Sequence, residues 1–156
     1  MVEDPKRVMA DTLTSVLEGM AFTFAESPED EGLTTDETEF IHATIEFRGP
    51  ASGMLGLAVP SSLCAELTTG VLGEEPGEAT SPTNLCDTLG ELLNVTCGNF
   101  TTALYGDQPV FDQSIPRVAK IDQSAWGILR DHPETVGFLV DGAPLLAQLI
   151  IQEKRG

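Results

Sequence analysis

The segment from Leu85 to Tyr105 constrains the fold most strongly, because its apolar side chains recur at the spacing of an α-helix. At about 100° per residue, these side chains fall on one stripe that can dock on a hydrophobic core. The stripe comprises Leu85, Leu89, Leu92, Leu93, Thr96, Phe100 and Leu104. Ser81-Pro82 can cap and start such a helix, and Gly106 and Pro109 can end it. The segment therefore predicts one long amphipathic helix.

The opposite side of the same helix carries an ordered polar row. Asp87, Glu91, Asn94 and Gly98 follow at intervals of four, three and four residues, which places them along one line. Asn and Gly lower helix propensity, Gly by about 1 kcal/mol relative to Ala, so folding alone does not favour them at a solvated mid-helix position. A lone Glu-x-x-Asn is common on amphipathic helices. The whole row, however, marks the candidate functional site.

A degraded copy of this row lies near the N-terminus. Stretches beginning Asp-Thr-Leu start 76 residues apart, at Asp11 and Asp87. The first stretch has its own apolar stripe at Leu13, Val16, Leu17, Met20 and Phe24. At the positions that correspond to Glu91, Asn94 and Gly98, the first stretch has Ser15, Glu18 and Phe22. The pattern predicts an internal duplication, with halves at about 8–75 and 84–152, although amphipathic helices can share such a run by accident.

Composition limits both the class of protein and its partners. A chain of 156 residues that is 41% hydrophobic has the size of a single domain, 1–156, with a substantial core. Its 8 basic and 25 acidic residues give a net charge of −17, which disfavours nucleic acid and anionic membranes. No apolar run approaches the ~20 residues that span a bilayer, so we expect no membrane insertion and a cytoplasmic location. The acidic stretches 26–39 and 74–78 are typical of solvated loops.

Cysteine and histidine spacing predicts no metal site and no disulfide framework. Cys64, Cys86 and Cys97 lack CxxC spacing and lie in helical patterns, which is typical of small core residues. His42 and His132 are isolated from other ligand-type residues.

The remaining patterns predict an α+β fold with a mainly antiparallel sheet and two long helices packed on it. Strand patterns fall at 38–48, 54–59, 111–121, 135–140 and 145–152, and helical patterns at 8–24 and 61–71. Turn residues at 49–53 and at Asp141-Gly142 predict two hairpins. Pro116 should leave its strand interrupted or at an edge.

Two smaller expectations concern individual residues. Ser61 or Ser62 can cap the short helix, which Gly73 can end. Trp126 falls in a loop-like stretch, where we expect it to cover the sheet.

The polar row resembles the signature of the CheC/CheX/FliY family of chemotaxis phosphatases. The hairpin Gly49–Pro60 and the stretch Ile115-Pro116-Arg117-Val118 also resemble segments of that family. The resemblance runs from about residue 8 to 152, and the single intact row is closest to the CheX type. It implies a CheC/CheX-like fold and a homodimer.

The resemblance implies hydrolysis of the aspartyl phosphate on a CheY-like receiver domain. Glu91 would pair with the receiver's active-site lysine, and Asn94 would orient a water for in-line attack. Asp87 and Gly98 would lie at the partner interface. Gly98 would remove side-chain bulk so that the partner can approach. Asp87 could instead interact favourably with the helix dipole. The Mg²⁺ would belong to the receiver, so the chain would need no cofactor of its own. The alternatives are a non-catalytic receiver-binding or switch-associated docking module and an acidic dimeric scaffold.

Overall fold

The fold is built on an antiparallel sheet whose middle strands come from two hairpins. The computed structural model describes residues 4–27, 32–73 and 81–153. Its strands are β1 (Ala25–Glu26), β2 (Phe40–Arg48), β3 (Ala51–Pro60), β4 (Asp112–Gln113), β5 (Arg117–Ile121), β6 (Thr135–Val140) and β7 (Ala143–Glu153). They lie in the order β1-β6-β7-β3-β2, and β4 and β5 both pair with the outer side of β2. The predicted α+β class, both hairpins and the interrupted edge strand are confirmed.

The helices cover the two faces of the sheet unequally. They are α1 (Pro5–Val16), which continues as a π-helical turn (Leu17–Ala21), α2 (Ser61–Leu72), α3 (Pro82–Tyr105) and α4 (Gln123–Asp131). The side chains of β2 alternate, and Ile41, Ala43, Ile45 and Phe47 join the main core with the buried faces of α1, α2 and α3. Phe40 points the other way and packs with Trp126 of α4. The two long helices therefore lie on one face, as predicted, and α4 lies on the other.

Helix α3 follows its sequence pattern closely. Ser81 caps it by accepting a hydrogen bond from the backbone N–H of Asn84 at 3.1 Å, and Gly106 ends it. The predicted apolar stripe is buried except for Leu104, which is half-buried. Buried Thr96 donates its hydroxyl to the Leu92 carbonyl, so this polar group is satisfied within the helix. The sequence thus predicts both the length and the buried face of α3.

The first helix ends earlier than predicted. The prediction of a helix over 8–24 is wrong at both ends, because α1 begins at Pro5 and the π turn ends at Ala21. Phe22 then adopts a left-handed conformation with φ of 56°, which stops the helix. As a result Phe24 is 64% exposed and does not belong to the apolar stripe.

Two other local predictions are wrong. Trp126 lies on α4 and not in a loop, although it covers the sheet as expected, stacked on Phe40 with ring centroids 4.5 Å apart. The cap of α2 is Pro60, which supplies no side-chain hydrogen bond, while the Ser62 hydroxyl donates to Glu37. Strand β1 and helix α4 have no counterpart among the predicted elements, and Gly73 ends α2 as expected.

The strand order is symmetric about the β3–β7 pair. Exchanging β2 with β6, β3 with β7 and β5 with β1 gives the same order read backwards. The same correspondence pairs helix α1 with helix α3, and these two helices pack against each other. This arrangement is consistent with the duplication, which stays a prediction.

His42 on β2 should make stability depend on pH. Its Nε2 is buried and has no hydrogen-bond partner among the described residues, and burial lowers the pKa of its imidazole from 6.5. Below pH 6.5 the unfolded chain therefore binds a proton that the folded chain does not, so folding is destabilised as the pH falls.

We expect His42→Gln to remove this contribution. Between pH 6.5 and 5.5 the wild type should lose up to about 1 kcal/mol more unfolding free energy than the variant, because the unfolded imidazole is only half protonated at the start of this interval. Urea unfolding at both pH values measures the difference. Equal losses in the two proteins would contradict the assignment.

Candidate functional site

An open groove runs between the exposed side of α3 and the connection from β4 to β5. It encloses about 680 Å³. One wall carries Asp87, Glu91 and Asn94, and the other carries Gln113 to Pro116. The structure therefore brings three of the four predicted residues together along one cleft. The fourth, Gly98, lines an adjoining hollow, and Gln113 lines both.

The two carboxylates of the row are free to meet a partner. Asp87 and Glu91 are exposed, and within the described ranges neither forms an ion pair or a side-chain hydrogen bond. Asp87 lies in the second turn of α3, whose first turn holds no acidic residue. Because the helix dipole acts mainly within the first turn, it does not explain Asp87.

Asn94 is held by a residue that the sequence did not point to. Gln113 on β4 donates from its Nε2 to Asn94 Oδ1 at 3.1 Å and to the Asn94 backbone carbonyl at 3.3 Å. Asn94 is half-buried, whereas the carboxylates beside it are exposed. The contact joins two elements 19 residues apart, so no local spacing could have revealed it.

The β4–β5 connection is fixed to the sheet next to this contact. Ser114 donates its backbone N–H to the Glu46 carbonyl at 2.9 Å, and its hydroxyl accepts from the Glu46 N–H at 2.9 Å. Gln113 itself pairs with Phe47 in the ladder between β2 and β4. The wall of the groove opposite α3 therefore has a defined backbone.

An exposed apolar side chain stands on the rim of the groove. Ile115 is 87% exposed, the highest value among the large hydrophobic residues that the structure describes as exposed. It lines the groove with Pro116 and Val118, across from Glu91. An apolar group beside exposed charges is typical of a protein-docking surface.

The cysteines are placed mainly in the core. Burial raises the pKa of Cys64 and of Cys97 to about 12, so both thiols stay protonated and unreactive at neutral pH. Both are fully buried, as predicted, whereas Cys86 is half-buried and lines the groove. In the part of the chain that is described, no His, Cys, Asp and Glu side chains cluster in a way that could hold a metal ion.

The described part of the acidic stretch 26–39 is bonded to neighbouring elements, unlike the solvated loop that the sequence predicts. Residues 28–31, and all of the second acidic stretch 74–78, lie outside the described residues. Glu39 pairs with Lys120 of β5 at 3.1 Å, and Gln123 of α4 donates to the carbonyls of Thr35 and Glu37. These bonds tie residues 35–39 to β5 and α4.

Comparison with known proteins identifies the family. A model of the family described as "Chemotaxis phosphatase CheX" matches residues 41–126, more than half of the chain. The chain belongs to the CheX family. The matched region includes the row from Asp87 to Gly98 and also Gln113, so the CheX-family match contains the groove. The predicted family is confirmed.

Solved structures share the CheX-family fold. They include CheX from Vibrio vulnificus (TM-score 0.72, 16% identity, covering 96% of this chain and 97% of that one). A CheC-like superfamily protein from Shewanella sp. PV-4 gives a TM-score of 0.69 at 20% identity, covering 97% and 99%. The CheX-CheY-BeF3-Mg²⁺ complex from Borrelia burgdorferi gives 0.65 at 21% identity, covering 96% and 99%. No curated protein matches the sequence.

None of the described helices combines the length and apolarity needed to cross a bilayer.

Proposed function

We propose that this chain hydrolyses the aspartyl phosphate of a CheY-like receiver domain. The observation that carries the proposal is the pair Glu91 and Asn94, presented on one helix line beside an open groove in a CheX-family chain. The Borrelia burgdorferi CheX crystallised with CheY, BeF3 and Mg²⁺ supports a receiver domain as the partner.

Glu91 provides the charge that recognises the receiver. Its exposed carboxylate has no competing partner among the described residues, so it can pair with the lysine of the receiver's active site. The pair would fix the receiver over the groove. Asp87, one turn before Glu91 on the same wall, adds a second negative charge to this contact.

Asn94 provides the positioning of the nucleophile. An acyl phosphate is already activated, so holding a water in line with the scissile bond supplies much of the required rate. A carboxamide cannot act as a useful base, but it can donate and accept at once, which suits holding a water. The water oxygen attacks phosphorus and the bond between phosphorus and the aspartyl oxygen breaks. Both water protons stay with the released inorganic phosphate, and the aspartate carboxylate remains on the receiver. The Mg²⁺ belongs to the receiver.

The test of this function is the decay of a phosphorylated CheY-like receiver from the same organism, with Mg²⁺. We expect decay to be faster with the chain than without it, and to increase with its concentration. Unchanged decay of every available receiver, with binding still detectable, would overturn the proposal in favour of a docking module.

The family resemblance also supports a homodimer as the assembly of this chain. Sedimentation equilibrium of the purified protein distinguishes a dimer from a monomer, and a single monomeric species across the concentration range would refute the dimer.

Ile115 should contribute to receiver affinity without contributing to stability. Because Ile115 is 87% exposed, Ile115→Ser removes little buried area from the folded chain. Burying about half of this side chain in a complex is worth roughly 1 kcal/mol, so we expect Kd for the receiver to rise about fivefold. Calorimetric titration measures the change.

A matched control is Ile128→Ser on α4. Ile128 is 70% exposed and lies on the helix that covers the opposite face of the sheet. Its substitution should leave Kd unchanged. Equal effects of the two substitutions would show that Ile115 is not part of the docking surface.

A further inference from the structure

The side chain of Gln113 bridges the sheet and the functional face of α3. Its Nε2 makes two hydrogen bonds to the same residue, 3.1 Å to Asn94 Oδ1 and 3.3 Å to the Asn94 carbonyl oxygen. A side chain that bonds both the backbone and the carboxamide of its neighbour restricts the rotation of that carboxamide.

The double contact also determines which way the Asn94 carboxamide faces. A backbone carbonyl can only accept, so the end of Gln113 that lies beside it must be the amide. The same amide donates to the Asn94 side chain, so the atom that it meets must be Oδ1. Asn94 Nδ2 therefore points away from Gln113, and it has no hydrogen-bond partner within the described residues. This leaves a donor and one lone pair of Oδ1 for a ligand in the groove.

The backbone of Gln113 is anchored on both sides of the bridge. Gln113 pairs with Phe47 in the ladder, and the next residue exchanges two hydrogen bonds of 2.9 Å with Glu46. The Phe47 ring packs on Phe100 of α3 with centroids 6.0 Å apart. The strand that carries Gln113 and the helix that carries Asn94 are thus held in one register by the core below them.

Gly98 leaves room for the Gln113 side chain to lie against α3. A Cβ atom at position 98 would lie 3.2 Å from Gln113 Oε1, which is tighter than an ordinary contact. A side chain at position 98 would require the Gln113 carboxamide to shift, for alanine by a few tenths of an ångström. Gly98 is half-buried, and no other atom lies within 4 Å of such a Cβ apart from its chain neighbours and its own helix.

We infer that Gln113 is a positioning residue for Asn94, and that Gly98 leaves room for the Gln113 side chain rather than for the receiver. The kinetic part of this inference rests on the proposed function. Without Gln113 the terminal torsion of Asn94 samples a broad range, so a smaller fraction of bound complexes holds the water in line. The loss should appear in kcat, because Gln113 does not supply the charge that recognises the receiver.

The first experiment compares Gln113→Ala, Gln113→Glu and the control Gln108→Ala. Gln108 lies in the loop between α3 and β4, five residues before Gln113, and bonds only Asp107 among the described residues. We expect kcat for receiver dephosphorylation to fall about tenfold in both Gln113 variants with KM within about twofold, because glutamate keeps the length of the side chain but has no donor. The control should match the wild type. A rise in kcat would overturn the inference, since it would mean that Gln113 masks Asn94.

A second readout separates this inference from the proposed function. Relaxation of the Asn94 side-chain NH₂ group by ¹⁵N NMR reports its order on the free chain, with no receiver present. We expect this order to fall in Gln113→Ala and not in Gln108→Ala, whether or not the chain proves to be a phosphatase. Unchanged order in Gln113→Ala would overturn the positioning contact. Lost order with unchanged kcat in an active chain would overturn its role in turnover.

The variant Gly98→Ala tests whether Gly98 makes room for the Gln113 side chain. Alanine favours a helix more than glycine does, so the thermal midpoint should stay the same or rise. Activity should nevertheless fall in kcat, and adding Gly98→Ala to Gln113→Ala should lower kcat no further, because both changes remove one interaction. A role in partner clearance would instead raise KM and would persist in the Gln113→Ala background. That result would overturn the assignment of Gly98.

Discussion

Asn94→Ala is expected to slow receiver dephosphorylation about 100-fold while receiver affinity stays within about twofold. Losing the correct placement of a reacting atom can cost about 100-fold in rate. Affinity should persist because the charge of Glu91 and the apolar rim at Ile115 remain. Decay of the phosphorylated receiver gives the rate, and calorimetric titration gives the affinity.

Asn99→Ala is the matched control for this experiment. Asn99 is exposed on the same helix, but its position about 140° further around the axis keeps it out of the groove. The control should retain wild-type rates and affinity. Full activity of Asn94→Ala would remove Asn94 from the proposed chemistry, and a parallel loss of affinity would make it a binding residue.

Glu91→Lys is expected to weaken receiver binding at least about 30-fold. The substitution replaces the proposed attraction to the receiver's lysine by a repulsion, and like charges facing each other cost several kcal/mol at an interface. Glu91 is exposed and unpaired within the described residues, so the folded chain should keep its thermal midpoint. Titration of the receiver at two ionic strengths measures the effect, which should shrink as salt screens the charges.

Glu66→Lys separates local recognition from the field of the whole molecule. Glu66 is exposed on α2 and lies outside the groove, and its replacement changes the net charge by the same amount. Because the chain carries a net charge of −17, part of any effect could be long-range. Equal weakening by both substitutions would show that Glu91 makes no specific contact.

The elements that the sequence predicts well are those whose signals are local. Helix α3 combines an apolar period with Ser81 at its start and Gly106 at its end, and all three appear in the structure. The second hairpin depends on Asp141-Gly142, and both residues adopt the positive φ that such a turn requires. Glu91 and Asn94 share a helix line, so their proximity also follows from spacing alone.

The features that the sequence did not predict depend on contacts between distant segments. Gln113 meets Asn94 only because β4 pairs with β2 in one register, with Phe47 opposite Gln113. Helix α4 is an exception, because its signals are local: Asp122 caps it, and Trp126 and Leu129 recur at helical spacing. The early end of the first helix depends on the left-handed Phe22, a conformation that its residue type does not favour.

The π turn at Leu17–Ala21 bears on whether the first helix could present a polar row like that of α3. It begins between Ser15 and Glu18, so residues after Val16 no longer follow the α-helical line that Asp87, Glu91, Asn94 and Gly98 share on α3. The chain then leaves the helix at Phe22, the position that corresponds to Gly98. Ser15→Glu, Glu18→Asn and Phe22→Gly would copy the residues of the α3 row but not its continuous α-helical line. The first helix, as it is folded, therefore lacks the backbone geometry of a second site.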